Sequence, residues 1–154
     1  MKLSLSYDTN AKFPEKIIYL IKSLRNSVAH NDVVFDVRFK DSNVDSTLCE
    51  YIENEVKCLN VDFSTITDYI LIIVLLLKKY GITHCVLSAG SRNVPFVHSI
   101  EEDPEFHCYS VVDERSAGYF ALGLAQELNQ PVVISCTSST ATCNYWPPVA
   151  EAFY

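Results

Sequence analysis

The chain has 154 residues, enough for one ordinary domain or for a small unit joined to part of another. A composition that is 49% hydrophobic and 20% charged is typical of a folded globular protein and excludes a disordered one. The formal net charge of −7 argues against a general nucleic-acid-binding surface, although it leaves room for a local basic site.

Cysteine usage and hydropathy indicate a cytoplasmic protein. The six cysteines form no C-x-x-C pair and do not cluster with the four histidines, which favours reduced thiols and argues against a metal site. The longest apolar run, residues 69–77, is about half of what a membrane span needs. Met1-Lys2 leads into a polar stretch with no apolar signal core, so we expect no cleavable signal and no membrane contact.

The first part of the chain is predicted to be helical. All four glycines follow residue 80, whereas eight of the twelve lysines and arginines precede residue 64, which indicates two segments of different architecture. Apolar residues recur at helical spacing over 17–24 and 48–59. Between them, 33–39 alternates in part and is compatible with a strand or a short helix. We therefore predict a helical segment over 1–62.

The next helix is predicted to lead into a different pattern. Ser64 or Thr65 can cap a helix that continues through the apolar run to Tyr80, and Gly81 can end it. Short apolar segments then alternate with helical ones, which predicts βαβ units and a parallel sheet. The fold class is thus α/β, an N-terminal helical segment followed by a partial parallel sheet of three strands over 63–154. The predicted strands are 83–88, 106–112 and 132–136, and the predicted helices are 94–102, 114–128 and one last helix after 137–146.

Three short polar turns follow the three predicted strands. They are S-A-G-S-R-N at 88–93, D-E-R-S at 113–116 and T-S-S-T at 137–140. Ligands of open parallel sheets bind outside the carboxyl ends of the strands, and each turn precedes a helix whose first N–H groups are free donors. The alternative for each turn is plain helix capping, by Ser91 or Asn93, by Asp113, and by Ser138 or Ser139. Three such turns at one edge of a sheet favour a site.

The same three segments resemble a known family. G-S-R-N-V-P-F, V-D-E-R-S-A-G-Y-F-A-L-G-L-A and C-T-S-S-T-A-T-C-N-Y-W-P-P-V-A-E-A are similar to the N-terminal pyrimidine-binding domain of thiamine-diphosphate enzymes, over about residues 64–154. Within that family the likeness is to a decarboxylating transferase of the menaquinone pathway. The resemblance implies thiamine diphosphate as cofactor and a 2-oxo acid as substrate.

The resemblance assigns a central role to Glu114. That residue matches the glutamate that hydrogen-bonds N1′ of the aminopyrimidine of the cofactor. A proton shared there stabilises the imino tautomer, which can then remove the thiazolium C2 proton, and a water-poor pocket would support the sharing. Asp113 is interpreted as the helix cap, and Arg115 as a partner for neighbouring carboxylates.

Other roles follow from the same likeness. Ser91 and Arg92 would face the carboxylates of the substrate, because a planar guanidinium binds a carboxylate with two bonds. The turn 137–140, which is Thr137, Ser138, Ser139 and Thr140, would lie beside the pyrimidine. Two departures bear on pocket shape: Ala89 replaces the proline of S-P-G, and Ser139 replaces the glycine of T-S-G-T.

The family also implies parts that this sequence does not contain. Such enzymes hold the diphosphate through Mg²⁺ on a G-D-G…N motif in a separate domain, and no G-D-G occurs here. The family's active site lies between two subunits. We therefore expect a fragment that is inactive alone and binds the cofactor poorly. A homodimer, or a companion chain that carries the diphosphate-binding domain, would complete it.

A second resemblance concerns the first part of the chain. S-L-R-N-S-V-A-H-N-D-V-V-F-D-V-R-F-K, at 23–40, is similar to the end of an abortive-infection-type HEPN domain, over about residues 14–60. The family's pattern of an Arg, a polar residue and a His falls on Arg25, Asn26 and His30. That likeness implies metal-independent RNA cleavage or phage defence, with the αβ part as a passenger. The plainer alternative is a His near a helix end with an Arg one turn earlier.

Overall fold

The computed structural model of the chain describes residues 46–56, 61–63 and 65–154, together with the helical positions 18 and 22. The chain divides into two compact units, Met1–Ile73 and Val74–Tyr154. The predicted segment 33–39, and 17–24 apart from the two helical positions, lie outside the described residues. The predicted domain boundary between 62 and 63 stays a prediction.

The first unit contains helix α1 (Ser46–Val56) and the beginning of α2 (Ile66–Lys79). Leu48 and Ile52, one helical turn apart on α1, are fully buried, which is the amphipathic pattern that predicted a helix over 48–59. Phe63 packs edge-on against Tyr69 with ring centroids 5.3 Å apart. Residues 57–60 lie outside the described part of the chain.

Helix α2 confirms the long helix predicted from the apolar run. Thr65 precedes it, and its hydroxyl donates to the carboxylate of Asp68 at 3.4 Å. Gly81 ends it as predicted, with a left-handed φ of 66° that costs glycine little. Burial and the nearby Asp62 raise the pKa of Asp68. Ser64, the other predicted cap, is outside the described residues.

The second unit confirms the predicted α/β fold. Its three strands are β1 (His84–Leu87), β2 (His107–Ser110) and β3 (Val133–Ser135), and its helices are α3 (Val94–Glu101), α4 (Glu114–Leu128), α5 (Ser139–Asn144) and α6 (Trp146–Phe153). Where one last helix was predicted, there are two. Pro147 stands in the first turn of α6, where its missing N–H is tolerated but cannot continue the hydrogen bonding of α5.

The sheet is parallel with strand order β2-β1-β3. The chain moves one way from β1 to β2 and back past β1 to reach β3, so β1 lies at a topological switch point. Cys85 and Leu87 face a core with Ile100, while Val86 faces a second core with Ala117. The sheet is thus covered on both faces, as parallel sheets require.

Two further features of the described residues concern membrane-spanning helices and the cysteine thiols. None of the described helices has the length and apolar character needed to cross a membrane. The described cysteines, which exclude Cys58, are all free. Burial raises the pKa of the Cys85 thiol to about 12, which makes that thiol unreactive at neutral pH.

Candidate functional site

The three polar turns begin at one edge of the sheet. Leu87 of β1 is in register with Ser110 of β2 on one side and with Ser135 of β3 on the other. Because the strands are parallel, their carboxyl ends share that edge, here called the carboxyl rim. The sequence prediction that the turns lie together is therefore confirmed.

Asn93 ties the first turn to the end of β3. Its amide nitrogen donates to the carbonyl of Ser88 and to the hydroxyl of Ser135, each at 3.2 Å, and its amide oxygen accepts from the Gly90 N–H at 3.0 Å. Asn93 occupies the N-cap position of α3, as one of the predicted caps, but makes no side-chain cap bond. Its side chain is buried and holds two strand ends together instead.

Gly90 allows the first and third turns to touch. A Cβ at this position would lie 2.5 Å from Cγ2 of Thr137, closer than real side chains approach. Arg92 crosses the same gap, and its Nη1 donates to the Thr137 carbonyl at 3.3 Å. The glycine in G-S-R-N is therefore explained by close packing between two turns.

Ser88 joins the chain that follows β2 to the rim, and Tyr145 bonds to the end of β3. The Ser88 hydroxyl donates to the carbonyl of Val111 at 2.9 Å, and the Val111 N–H donates to Leu87 at 3.0 Å. The Tyr145 hydroxyl, from the junction of α5 and α6, donates to the carbonyl of Ser135 at 3.1 Å. These bonds fix all three strand ends relative to one another.

Asp113 caps α4, as predicted. Its carboxylate accepts from the N–H of Ser116 at 2.8 Å and from the Ser116 hydroxyl at 2.7 Å. These two bonds, with a smaller contribution from the positive charge of Arg115, lower the pKa of Asp113. Since Asp113 is the N-cap, the next residue, Glu114, is the first residue of α4 and lies at the rim.

The Glu114 side chain is half-buried, and no described residue donates a hydrogen bond to its carboxylate. Its charge reaches Tyr145: burial is the main cause that raises the pKa of that phenol, and Glu114 is among the further ones. The carboxylate thus lies within electrostatic range of Tyr145 at the rim.

The other predicted site residues lie at the same rim. Ser91 and Arg92 are exposed, and the hydroxyl of Ser138 caps α5 by accepting from the Ala141 N–H at 3.1 Å. The same hydroxyl lies 3.0 Å from that of Thr140. Ser138 is therefore the cap among the two predicted candidates, while Ser139 is exposed. The ligand-binding roles of these residues stay predictions.

An open apolar groove of about 910 Å³ adjoins the third turn. Its lining comes from β3 and the two last helices: Ile134, Ser135, Cys136, Ser139, Thr142, Cys143, Tyr145, Trp146 and Val149. The groove therefore starts at the predicted cofactor turn and continues along one side of the sheet.

Two roles in the rim were not foreseen from sequence: the tie made by Asn93 and the bond made by Tyr145. The position of Asn93 at the start of a predicted helix did single it out, but as a helix cap. The RNA-cleavage residues Arg25, Asn26 and His30 lie outside the described residues. No group of three or more histidine, cysteine, aspartate or glutamate side chains placed to hold a metal occurs within the described part.

Comparisons with known proteins match the same region. Residues 69–154 match the family described as thiamine pyrophosphate enzyme, N-terminal TPP binding domain. Relatives named 2-succinyl-5-enolpyruvyl-6-hydroxy-3-cyclohexene-1-carboxylate synthase are 53% identical over 85 residues in Bacteroides fragilis and 54% over 85 residues in Bacteroides thetaiotaomicron. The synthase of Flavobacterium psychrophilum is 53% identical over 74 residues.

These matches cover part of each protein. The two Bacteroides alignments span 55% of this chain and 15% of the relative, and the Flavobacterium alignment spans 48% and 14%. No HEPN family is among the matches found. Since the family match covers more than half of the 154 residues, the chain belongs to the thiamine pyrophosphate enzyme family, through its N-terminal TPP binding domain.

Proposed function

We propose that this chain supplies the pyrimidine-binding side of a thiamine-diphosphate site in a decarboxylating transferase similar to the synthases named above. One observation carries the proposal. Glu114 is the first residue of α4, at the rim where the three turns meet, and no described residue donates a hydrogen bond to its half-buried carboxylate. In sheets of this topology the rim beside the switch point is where ligands bind.

The residues at the rim fit one end of the cofactor. A carboxylate without a donor can accept a hydrogen bond from a protonated ring nitrogen, and the third turn offers the hydroxyls of Ser139 and Thr140. Thiamine diphosphate, when bound, supplies the electron sink for decarboxylation of a 2-oxo acid. The diphosphate and its Mg²⁺ would be held by another domain, since no suitable ligand group occurs in the described part of this chain.

Glu114 would then hold a proton between its carboxylate and N1′ of the aminopyrimidine. Such sharing is effective where water is excluded, because a low dielectric strengthens a charge-assisted hydrogen bond. Asp113 supports the role indirectly, because its cap bonds to Ser116 fix the first turn of α4 and thus the place of its neighbour.

Arg92 and Ser91 would bind a carboxylate of the substrate. Arg92 uses one N–H on the Thr137 carbonyl, which orients the guanidinium and leaves its remaining N–H groups to bind an anion. Ala89 and Ser139, the departures from the family pattern, are both exposed at this edge. They would change the shape of the pocket, and with it the choice of 2-oxo acid.

The proposal is tested by co-producing the 154-residue chain with a second polypeptide, the part of the Bacteroides fragilis synthase that follows its aligned segment. Release of CO2 from 2-oxo acids is measured with thiamine diphosphate and Mg²⁺. Glu114→Gln should lower the rate by about 100-fold or more, because general acid–base groups contribute that much. Glu127→Gln, an exposed glutamate of the same helix, is the matched control.

Equal rates for the two variants would remove the assigned role of Glu114. The chain alone is expected to bind thiamine diphosphate weakly, because the diphosphate-binding part is not among its described residues. Calorimetry that showed micromolar, magnesium-dependent binding by the chain alone would contradict that expectation.

A further inference from the structure

Ser88, the first residue after β1, is buried at the rim with 3% of its surface exposed. Its hydroxyl donates to the carbonyl of Val111 at 2.9 Å, and its own N–H donates to the Ser135 carbonyl at 2.8 Å. A side chain enclosed to this degree does not reach a ligand at the rim. Any part that it has in function is therefore exerted through the groups to which it bonds.

The bond from Ser88 takes the place of a backbone bond. The Val111 N–H donates to the Leu87 carbonyl at 3.0 Å. In a parallel ladder every second residue of a strand bonds to the same neighbour, so the N–H of Ala89 would come next and donate to the Val111 carbonyl. The described residues form no such bond, because the first turn leaves the sheet here, and the Ser88 hydroxyl donates to that carbonyl instead.

The carbonyl that Ser88 holds lies just ahead of α4. Val111 precedes Glu114 by three residues, and a hydrogen bond to its carbonyl fixes the plane of the peptide that joins it to Val112. Val112 is 91% exposed, so packing does little to hold the chain there. The next fixed point is the cap at Asp113. The direction in which the chain enters α4 thus depends on the bonds at Val111.

We propose that Ser88 is a positioning residue for Glu114: its hydroxyl holds the Val111 carbonyl and thereby sets the place of the Glu114 carboxylate at the rim. The inference rests on the proposed function, in which that carboxylate shares a proton with the cofactor. Proton sharing needs hydrogen-bond distances, and a displacement of about 1 Å can lower a rate by about 100-fold. In Ser88→Ala the Val111 carbonyl loses its donor, and the chain ahead of α4 shifts to regain one.

The alternative is that Ser88 only stabilises the fold, and Ser99 offers the matched comparison. The Ser99 hydroxyl, on a half-buried residue, donates to the Pro95 carbonyl within α3 at 2.7 Å. Ser88→Ala and Ser99→Ala each remove one bond from a serine hydroxyl to a backbone carbonyl. Only the first of these bonds holds the chain that leads to α4, so the pair separates positioning from general stability.

The first measurement is amide hydrogen exchange by mass spectrometry on the cofactor-free complex of the 154-residue chain with the following part of the Bacteroides fragilis synthase. The N–H groups of Ser116 and Ala117 both bond to Asp113 in the first turn of α4. Ser88→Ala should speed their exchange by about tenfold or more, because the turn opens more often. Ser99→Ala should leave it unchanged. Equal exchange in wild type and Ser88→Ala would overturn the inference.

The second measurement is CO2 release from a 2-oxo acid by the same complex with thiamine diphosphate and Mg²⁺. Ser88→Ala should lower kcat by about tenfold or more and change KM for the 2-oxo acid by less than about threefold. Added to Glu114→Gln, it should cause no further loss, since a positioning residue acts only through the group that it positions. Ser88→Cys has a weaker donor of similar size and should fall between serine and alanine, and it serves in both measurements if Ser88→Ala does not fold.

The outcomes distinguish this inference from the proposed function. A loss in Ser88→Ala that adds in full to that of Glu114→Gln, an equal loss in Ser99→Ala, or a raised KM with unchanged kcat would overturn the positioning role. So would a loss in Glu114→Gln with none in Ser88→Ala. Wild-type CO2 release by Glu114→Gln would instead overturn the proposed function, and hydrogen exchange would still decide whether Ser88 fixes the first turn of α4.

Discussion

The two ends of the sheet are held together in different ways. At the amino end, His84 and His107 lie opposite each other with ring centroids 4.8 Å apart, and the Tyr109 hydroxyl is 3.1 Å from Nδ1 of His84. Close by in sequence, Lys78 pairs with Asp103 at 2.8 Å. At the carboxyl rim, side chains from separate turns bond to backbone carbonyls, and Glu114 has no donor among the described residues.

The polar groups at the two ends of the sheet therefore differ in their roles. Polar groups at the amino end bond to other side chains, so we expect a change there to remove one weak contact. Groups at the rim bond to the backbone, and in the proposed function Ser91, Glu114 and the remaining N–H groups of Arg92 bind the ligand. Hydrogen bonds from side chains to the backbone fix the strand ends, and fixed strand ends hold a site at the carboxyl edge of a parallel sheet in place.

The largest effect is expected from Asn93→Ala. This change removes three hydrogen bonds and leaves the Ser88 carbonyl and the Gly90 N–H unsatisfied in a buried place. The free energy of unfolding should fall by about 2–4 kcal/mol, because each unsatisfied buried group costs about 1–3 kcal/mol. Urea unfolding followed by circular dichroism measures it.

Asn144→Ala is the control for that change, since Asn144 is half-buried at the end of α5. It should lower the free energy of unfolding by less than about 1 kcal/mol. If Asn93→Ala costs no more than this control, Asn93 does not tie the rim together, and the contrast between the two ends of the sheet fails.

A smaller effect is expected from Gly90→Ala. The new methyl group would lie 2.5 Å from Cγ2 of Thr137, and separation of the two turns should cost about 1–3 kcal/mol. Adding Thr137→Ser removes that methyl group and should restore most of the loss, as a double-mutant cycle would show. Additive costs of the two changes would mean that the close approach is not the reason for glycine.

Much of the second unit could be predicted from its sequence because the signals are local. The bounds of α4, its cap at Asp113 and the stop at Gly81 follow from residues within one helical turn of each feature. The rim ties could not be predicted, because Asn93 and Ser135 are 42 positions apart and Ser88 and Val111 are 23 apart. Capping and tying use the same polar residue types, so only the fold distinguishes them.

At the amino end, Tyr109→Phe should have a modest effect. It removes one hydrogen bond to His84 and keeps the ring contact with Phe120, whose centroid is 5.4 Å away. The site is half-exposed, so the loss should be about 0.5–1 kcal/mol. Tyr119→Phe, at an exposed tyrosine of α4, is the control. A cost equal to that of Asn93→Ala would show that the two ends do not differ as described.

The smallest effect concerns the cap of α4 and depends on pH. The bonds from Ser116 lower the pKa of Asp113 from its ordinary value of 3.8, so the unfolded chain takes up the proton first as the pH falls. The stability that this carboxylate contributes is therefore complete above the ordinary value and is lost as the pH falls through the lowered one. Asp113→Asn keeps a cap that does not titrate.

The difference in unfolding free energy between wild type and Asp113→Asn should thus be constant from about pH 7 to about pH 5 and change only below about pH 4. Asp103, whose pKa the Lys78 ammonium also lowers, titrates in both proteins and cancels from the difference. Urea unfolding of both proteins across this range measures it. Curves that stay parallel at low pH would mean that the Asp113 cap is not formed in solution, and Glu114 would then lose the fixed first turn that holds it at the rim.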